Sequence, residues 1–240
     1  MKKWLLVCLI VLTCSISYGE SIIQDNFNSY TNGSIVGQGG WQSYDTLGYN
    51  FIVQDVLVFE GAKALYCNTT ADNVVGKQGS LLMDGKQTFY VRTENRGGWN
   101  PVTTDDGNAQ LRITKGLWGA GIAMTFTRDG YVTYLDPVLH SYEKFAPYND
   151  NEWTKVEAEW RSIDITARYC VNSGVWTDWK PLWHIDSFQG LDYVNFAFDF
   201  RSGGSGGVYF DNAVPEPSTW ILFIAALITG TFFLHRKLRK

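Results

Sequence analysis

Apolar and polar residues alternate with a period of two along much of this chain. From residue 154 to 161, Thr, Val, Ala and Trp alternate with Lys, Glu, Glu and Arg. In a second run, Val194, Phe196, Phe198 and Phe200 alternate with a set that includes Asn, Asp and Arg. Successive side chains of a strand point to opposite faces, so these runs predict half-buried antiparallel strands.

Similar short runs recur along the chain, with turn-forming residues between them. Asp84-Gly85, Asp129-Gly130 and Asn172-Ser173 are such turn signals. Between residues 20 and 213 no segment shows the 3.6-residue period of an amphipathic helix longer than three turns. About a dozen short strands in roughly 195 residues are typical of one all-β domain. We therefore predict an antiparallel two-sheet sandwich over residues 20–213.

The charge of this domain excludes one class of partner. Between residues 20 and 214 there are 14 Lys and Arg against 23 Asp and Glu, a net charge of −9. Affinity for nucleic acid comes largely from contacts between cations and phosphates. We therefore predict that the protein has no nucleic-acid partner.

Both ends of the chain have the composition of targeting segments. Lys2 and Lys3, an apolar run and the small residues before Glu20 predict a signal peptide over residues 1–19. Residues 220–234 carry no charge, which predicts a transmembrane helix of about 22 Å. The basic residues within 235–240 should remain cytoplasmic and leave the domain outside.

The residues before this helix add a motif that hydropathy does not describe. Pro215, Glu216 and Pro217, within the segment 214–219, precede the apolar helix and the basic end. This arrangement resembles the PEP-CTERM sorting signal of Gram-negative bacteria. The resemblance implies anchoring in the inner membrane, processing by an exosortase and delivery to the cell surface or an exopolysaccharide-containing extracellular matrix.

A second resemblance extends along the domain. The stretches Asp25-Asn26-Phe27, 58–65, 152–156 and 208–212 occur in the order of the opening, second hairpin, W-x-x-V strand and closing strand of concanavalin A-like domains. The resemblance, to laminin-G and laminarinase-type proteins, implies a jelly roll with its first and last strands close together. It also implies a structural calcium site formed by Asp25, Asp211 and the carbonyl of Gly61.

The acid cluster of laminarinase-type enzymes is missing from the chain. Those enzymes carry an E-x-D-x-(x)-E strand, because retaining hydrolysis needs two carboxyl groups about 5–5.5 Å apart. Glu157 and Glu159 share one strand face, but the central Asp and the third acid are absent. The ordinary alternation of charged, solvent-facing residues with buried ones along a strand explains this pair better than a catalytic role does. We therefore predict no catalytic residue and no enzymatic activity.

Tryptophans are the candidate ligand-binding residues. Aromatic faces stack on the C–H surfaces of sugars and bury a large area at low entropic cost. Trp99 lies in a Gly-rich loop that is expected to be exposed, and strand spacing would place Trp179 and Trp183 on one face with Trp176 on the other. The alternative is that these residues fill the core, as expected for Trp153 and Trp160.

Two cysteines, Cys67 and Cys170, remain after the predicted signal peptide. In an oxidising exterior they would form a disulfide if they were adjacent, and otherwise they would be two buried thiols. The sequence leaves both alternatives open.

Together these features favour an exported, non-enzymatic sandwich domain that binds exopolysaccharide. Two other hypotheses are a glycan-cleaving enzyme of the same fold and a structural matrix protein without a ligand.

Overall fold

A computed structural model describes residues 20–44, 50–68, 73–99, 109–117, 119, 121–138, 141–182, 188–198 and 206–211. These residues form 15 strands and a short 3₁₀ helix at Arg96–Gly98. The strands are β1 (Gly33–Ser34), β2 (Trp41–Ser43), β3 (Ile52–Gln54), β4 (Ala64–Cys67), β5 (Asn73–Leu82), β6 (Gly85–Glu94), β7 (Ala109–Thr114), β8 (Gly121–Phe126), β9 (Tyr131–Asp136), β10 (Ser141–Pro147), β11 (Trp153–Arg161), β12 (Thr166–Val171), β13 (Lys180–Pro181), β14 (Leu191–Phe198) and β15 (Gly207–Asp211).

The strands form two antiparallel sheets. Sheet A has the order β1-β3-β4-β15-β6-β11-β12-β13, and sheet B has the order β10-β9-β8-β7-β14-β5-β2. Neighbouring strands in each sheet are often distant in sequence, as in a sandwich with crossing connections. The predicted all-β, two-sheet jelly roll is confirmed.

The alternation along β11 sets the two faces of sheet A. Val156, Ala158 and Trp160 are buried between the sheets, whereas Glu159 and Arg161 lie on the outer face. The partner strands continue these faces in register, since Val156 is opposite Phe89 of β6 and Val171 of β12. The period of two therefore predicted the orientation of this strand correctly.

Strand β14 differs from the simple alternating pattern. Val194, Phe196 and Phe198 face the core as predicted, but Asn195 and Ala197 on the other face are also buried. The strand is central in sheet B, and Gly76 of the neighbouring β5 lies against Asn195 and Leu117. A β-carbon at Gly76 would lie 2.2 Å from Asn195 Oδ1, so this close packing requires glycine.

Several predicted features lie outside the described residues. These are the signal peptide 1–19, the sorting motif 214–219, the helix 220–234, the basic tail 235–240 and Trp183. Within the described ranges, no helix has the length and hydropathy needed to cross a membrane.

Candidate functional site

Four aromatic side chains form a continuous group on the outer face of sheet A. They are Phe59, Tyr66, Trp153 and Tyr209, and we call them the aromatic strip. Ring centroids are 4.4 Å apart between Tyr66 and Tyr209, 6.4 Å between Tyr209 and Trp153, and 5.8 Å between Trp153 and Phe59. Phe59 is 41% exposed and the other three are partly exposed. The strip is therefore an aromatic surface that a ligand can reach.

Strand register brings most of the strip together. Tyr209 of β15 is opposite Tyr66 of β4 on one side and Arg92 of β6 on the other, and Arg92 is opposite Trp153 of β11. Side chains directly opposite one another on one face are about 5 Å apart, close enough for aromatic rings to pack. Phe59 joins from a loop, where its ring stacks on Tyr90 with centroids 3.7 Å apart.

Polar groups line this aromatic surface. The Arg92 guanidinium donates to the backbone carbonyl of Asn151, while its buried Nε has no hydrogen-bond partner. The Tyr209 hydroxyl donates to Glu94 Oε2 at 3.4 Å. Burial and then the nearby Glu94 carboxylate raise the pKa of Tyr209, so its hydroxyl stays protonated at neutral pH. The strip thus combines aromatic faces with hydrogen-bonding groups, as sugar-binding surfaces require.

Asp211 holds the loop that presents Phe59. Its Oδ2 accepts hydrogen bonds from the backbone N–H groups of Phe59 at 2.7 Å and Glu60 at 3.2 Å. Gly61 follows with a φ of +80°, and a β-carbon there would lie 2.4 Å from the Asn28 amide nitrogen. Two of the three predicted calcium ligands therefore lie at one loop, where Asp211 acts through hydrogen bonds to the backbone.

Asp25 lies at sheet B, where its hydrogen-bond partners differ from those of Asp211. Its carboxylate accepts hydrogen bonds from the Phe27 backbone N–H at 3.0 Å, the Trp41 indole at 3.0 Å and the Tyr30 hydroxyl. The Lys77 ammonium lies 2.8 Å from Oδ2. A protein cation therefore balances Asp25, which is only 5% exposed, and these surroundings do not fit a calcium ligand.

Calcium binding stays a prediction. Within the described ranges, no group of three or more His, Cys, Asp or Glu is arranged to hold a metal ion. Backbone carbonyls such as that of Gly61 can also bind calcium.

The expectation that Trp99 is exposed is wrong. Its side chain is 1% exposed and packs edge-to-face on Phe198, with ring centroids 5.6 Å apart. Although the loop is rich in glycine, the chain after the 3₁₀ helix turns the indole inward. Trp99 therefore belongs to the hydrophobic core.

Trp176 and Trp179 lie on the same side of the sheet, which corrects the expectation that they point apart. The Arg168 guanidinium lies 4.8 Å from the ring centroid of each, and that of Arg161 lies 3.9 Å from Trp179. Residues 174–179 are not a strand, so a period of two does not apply to them. Guanidinium groups pack on these partly exposed rings, and sugar stacking by Trp179 stays a prediction.

Glu157 and Glu159 share the outer face of β11, and both form ion pairs. Glu157 Oε1 is 2.6 Å from Lys86 Nζ and 3.7 Å from Lys155 Nζ. Glu159 Oε2 accepts two hydrogen bonds from Arg168, at 2.8 and 2.6 Å. Both carboxylates are therefore held by protein cations on this face.

The structure keeps Cys67 and Cys170 apart. Cys67 faces the core from β4, whereas Cys170 lies opposite Glu157 on the outer side of β12. Strands β4 and β12 are four spacings apart, about 19 Å, and a disulfide requires Cα atoms within about 7 Å. Of the two alternatives, the structure contains two buried thiols.

Comparison with solved structures assigns the fold. The chain has a jelly-roll fold. A sialidase matches 81% of this chain with a TM-score of 0.57 and 16% identity, and this chain covers 18% of that protein. The catalytic domain of a glycoside hydrolase family 131 protein from Coprinopsis cinerea matches 83% of this chain and 99% of its own length, with a TM-score of 0.53 and 9% identity. A glycoside hydrolase family 16 endo-glucanase from Bacteroides ovatus matches 79% of this chain and 98% of its own length, with a TM-score of 0.50 and 11% identity.

Sequence comparisons give no assignment. No family model matches the chain, and no curated protein matches it either. At identities of 9–16%, the structural similarities establish the shared fold alone.

Sequence reasoning did not find the aromatic strip. It assigned Trp153 to the core, although this residue falls on the same face as Glu157 and Glu159. The alternation along β11 was therefore a usable signal for Trp153. Its proximity to Tyr66 and Tyr209 depends on the order of strands in the sheet.

Proposed function

We propose that this protein is an exported, non-catalytic jelly-roll domain that binds polysaccharide through the aromatic strip. The observation that carries the proposal is the continuous, solvent-reachable row of Tyr66, Tyr209, Trp153 and Phe59 on one sheet face. Similarity in fold to glycoside hydrolases is consistent with a glycan ligand. A surface of this kind needs no reacting group to bind sugar.

The second candidate function is cleavage of a glycan. The side-by-side position of Glu157 and Glu159 on β11 is the observation in its favour. Both carboxylates are committed to Lys or Arg partners, which favours a structural role for them. Release of reducing sugar from a bound polysaccharide, and its loss in a Glu157→Gln variant, would establish cleavage instead.

Replacing Trp153 with alanine should weaken polysaccharide binding. Loss of one stacked ring is expected to cost about 1–3 kcal/mol on the scale of aromatic–base stacking, or roughly 5- to 150-fold in affinity. Because Trp153 is partly exposed, the variant should stay folded. Affinity electrophoresis or calorimetry against a polysaccharide panel, together with thermal melting, measures both properties.

Trp179→Ala is the matched control for this experiment. Trp179 is also partly exposed on the outer side of sheet A, but guanidinium groups pack on its ring. We expect this variant to bind as the wild type does. If Trp179→Ala loses binding and Trp153→Ala does not, the site lies at Trp179, as the sequence alone suggested. If no polysaccharide binds, the structural matrix hypothesis is favoured.

The proposal also assigns roles to the two ends of the chain. The signal peptide would direct export, the apolar helix would hold the precursor in the inner membrane, and an exosortase-type enzyme would process the Pro215-Glu216-Pro217 motif. The mature domain would then reside at the cell surface or in the extracellular matrix. The basis for export and membrane anchoring is the composition of the termini, and the basis for processing and surface delivery is the resemblance to the PEP-CTERM sorting signal.

Glu216→Ala should block this processing. The proline residues on either side favour an extended segment, so Glu216 would be accessible to the enzyme that recognises it. We expect the variant to accumulate as a membrane-associated precursor in cell fractionation, while Ser218→Ala is processed normally. Normal release of the Glu216→Ala protein would refute the sorting assignment.

A further inference from the structure

Building on the proposed function, we propose that the aromatic strip binds the interior of an extended, uncharged polysaccharide chain. The chain would run across the strands of sheet A. Three features support this: the direction of the strip, the rigidity of its Phe59 loop and the charges around it.

The direction of the strip follows from the register. Ile52, Tyr66, Tyr209, Arg92 and Trp153 are directly opposite one another on the neighbouring strands β3, β4, β15, β6 and β11. Four strand spacings of about 4.8 Å give a row about 19 Å long. Ile52 at one end is 37% exposed and extends the apolar surface beyond the rings. A row of this length contacts several consecutive sugar units, and a single sugar would contact only part of it.

The loop that carries Phe59 is held in place before any ligand binds. Asp211 accepts the N–H groups of Phe59 and Glu60, and Asn28 Oδ1 accepts those of Ala62 at 2.7 Å and Lys63 at 3.0 Å. Earlier in the loop, Gln54 Oε1 accepts the N–H groups of residues 56 and 57. A preorganised surface loses little conformational entropy when it binds. The Phe59 ring is therefore fixed over Tyr90, beside the row and next to Trp153.

The charges favour an uncharged ligand. Arg92 lies in the middle of the row, but its guanidinium is directed to Asn151, and Glu94 next to Tyr209 is negative. The domain as a whole has a net charge of −9 between residues 20 and 214. A polyanionic polysaccharide would be repelled by this field at low salt.

Chain length and charge are tested with defined probes. The probes are gluco-oligosaccharides from disaccharide to hexasaccharide, the parent neutral β-glucans, neutral mannans and galactans, and polymannuronate as the polyanion. We expect affinity for neutral chains to rise at least tenfold from disaccharide to hexasaccharide and to change little between low and high salt. Trp153→Ala and Tyr66→Ala should each reduce the gain from added sugar units, because each shortens the row.

Each outcome separates this inference from the proposed function. If the wild type binds disaccharide and hexasaccharide with equal affinity and Trp153→Ala loses this binding, the proposed glycan binding is supported and the extended-chain inference is overturned. If polymannuronate binds more tightly than the neutral chains and salt weakens its binding, the inference that the ligand is uncharged is overturned. If neither the neutral probes nor polymannuronate binds the wild-type protein, the proposed function and the inference both fail.

Discussion

Replacing Asp25 with alanine is expected to destabilise the domain by roughly 3–5 kcal/mol, the typical cost of removing one partner of a buried ion pair. The Asp25 carboxylate is 5% exposed and accepts hydrogen bonds from the Phe27 backbone, the Trp41 indole and Lys77. Without it, the buried indole N–H loses its acceptor, and the Lys77 ammonium loses its counter-charge and keeps the Tyr30 hydroxyl, at 2.9 Å, as an acceptor. Denaturant unfolding measures the loss, and insoluble expression would be its extreme form.

Two further variants keep this prediction testable. Asp164→Ala removes an exposed ion pair with Arg161, and its effect should be much smaller because solvent screens exposed charges. The double variant Asp25→Leu with Lys77→Met should recover part of the lost stability, since it removes both charges. A loss below about 1 kcal/mol in Asp25→Ala would show that the pair does not stabilise the fold.

The cluster of Asp25, Tyr30 and Lys77 predicts that the stability of the fold depends on pH in the alkaline range. Burial opposes the charged form of Lys77, but hydrogen bonds to Asp25 and Tyr30 outweigh it and raise the pKa of Lys77 above 10.5. Burial and the hydrogen bond to Asp25 raise the pKa of Tyr30 above 10.0. Both raised pKa values contribute stability that is fully present below about pH 10 and is lost at higher pH. The melting temperature should therefore fall less steeply above pH 10 in a Lys77→Met, Tyr30→Phe variant.

A chelator tests the predicted calcium site. If Lys77 balances Asp25 and no ion binds at Asp211 and Gly61, the wild-type melting temperature should be the same in calcium and in chelator. A calcium ion bound only to the folded state would stabilise it by about 2.7 kcal/mol at a hundredfold excess over its Kd. A clear drop in chelator, absent in Asp211→Asn, would therefore support the metal site.

Trp99→Ala is expected to have a similarly large effect on stability. The indole is fully enclosed and packs on Phe198, so its removal leaves a cavity that costs roughly 3–5 kcal/mol. Trp99→Phe should cost much less, because phenylalanine retains most of the packing and removes an indole N–H that has no hydrogen-bond partner. Thermal melting of the two variants compares these costs.

Binding measurements on the same proteins separate the core from the surface. Trp99→Phe should bind polysaccharide as the wild type does, whereas Trp153→Ala should bind weakly and melt near the wild-type temperature. If Trp99→Ala melts like the wild type and loses only binding, Trp99 is a surface residue, contrary to the structure.

The sequence by itself determined the fold class and the faces of its best strands. In β11 the alternation of Val156, Ala158 and Trp160 with charged residues is a local property, because neighbouring side chains of a strand must point to opposite sides. Turn residues such as Asn172 and Ser173, which have positive φ, are also predictable from short segments. The functions of the two termini stay predictions based on composition and on the resemblance to the PEP-CTERM sorting signal.

Only the tertiary structure decided which distant residues meet. Tyr66 and Tyr209 are far apart in the chain, yet they are opposite each other because β15 pairs with β4. Asp25 meets Lys77 from another part of the chain, and Trp99 is buried although its own loop is rich in glycine. Strand order and the packing of one sheet on the other depend on the free energy of the whole core, so no short segment encodes them. The aromatic strip is therefore a property of the assembled sheet.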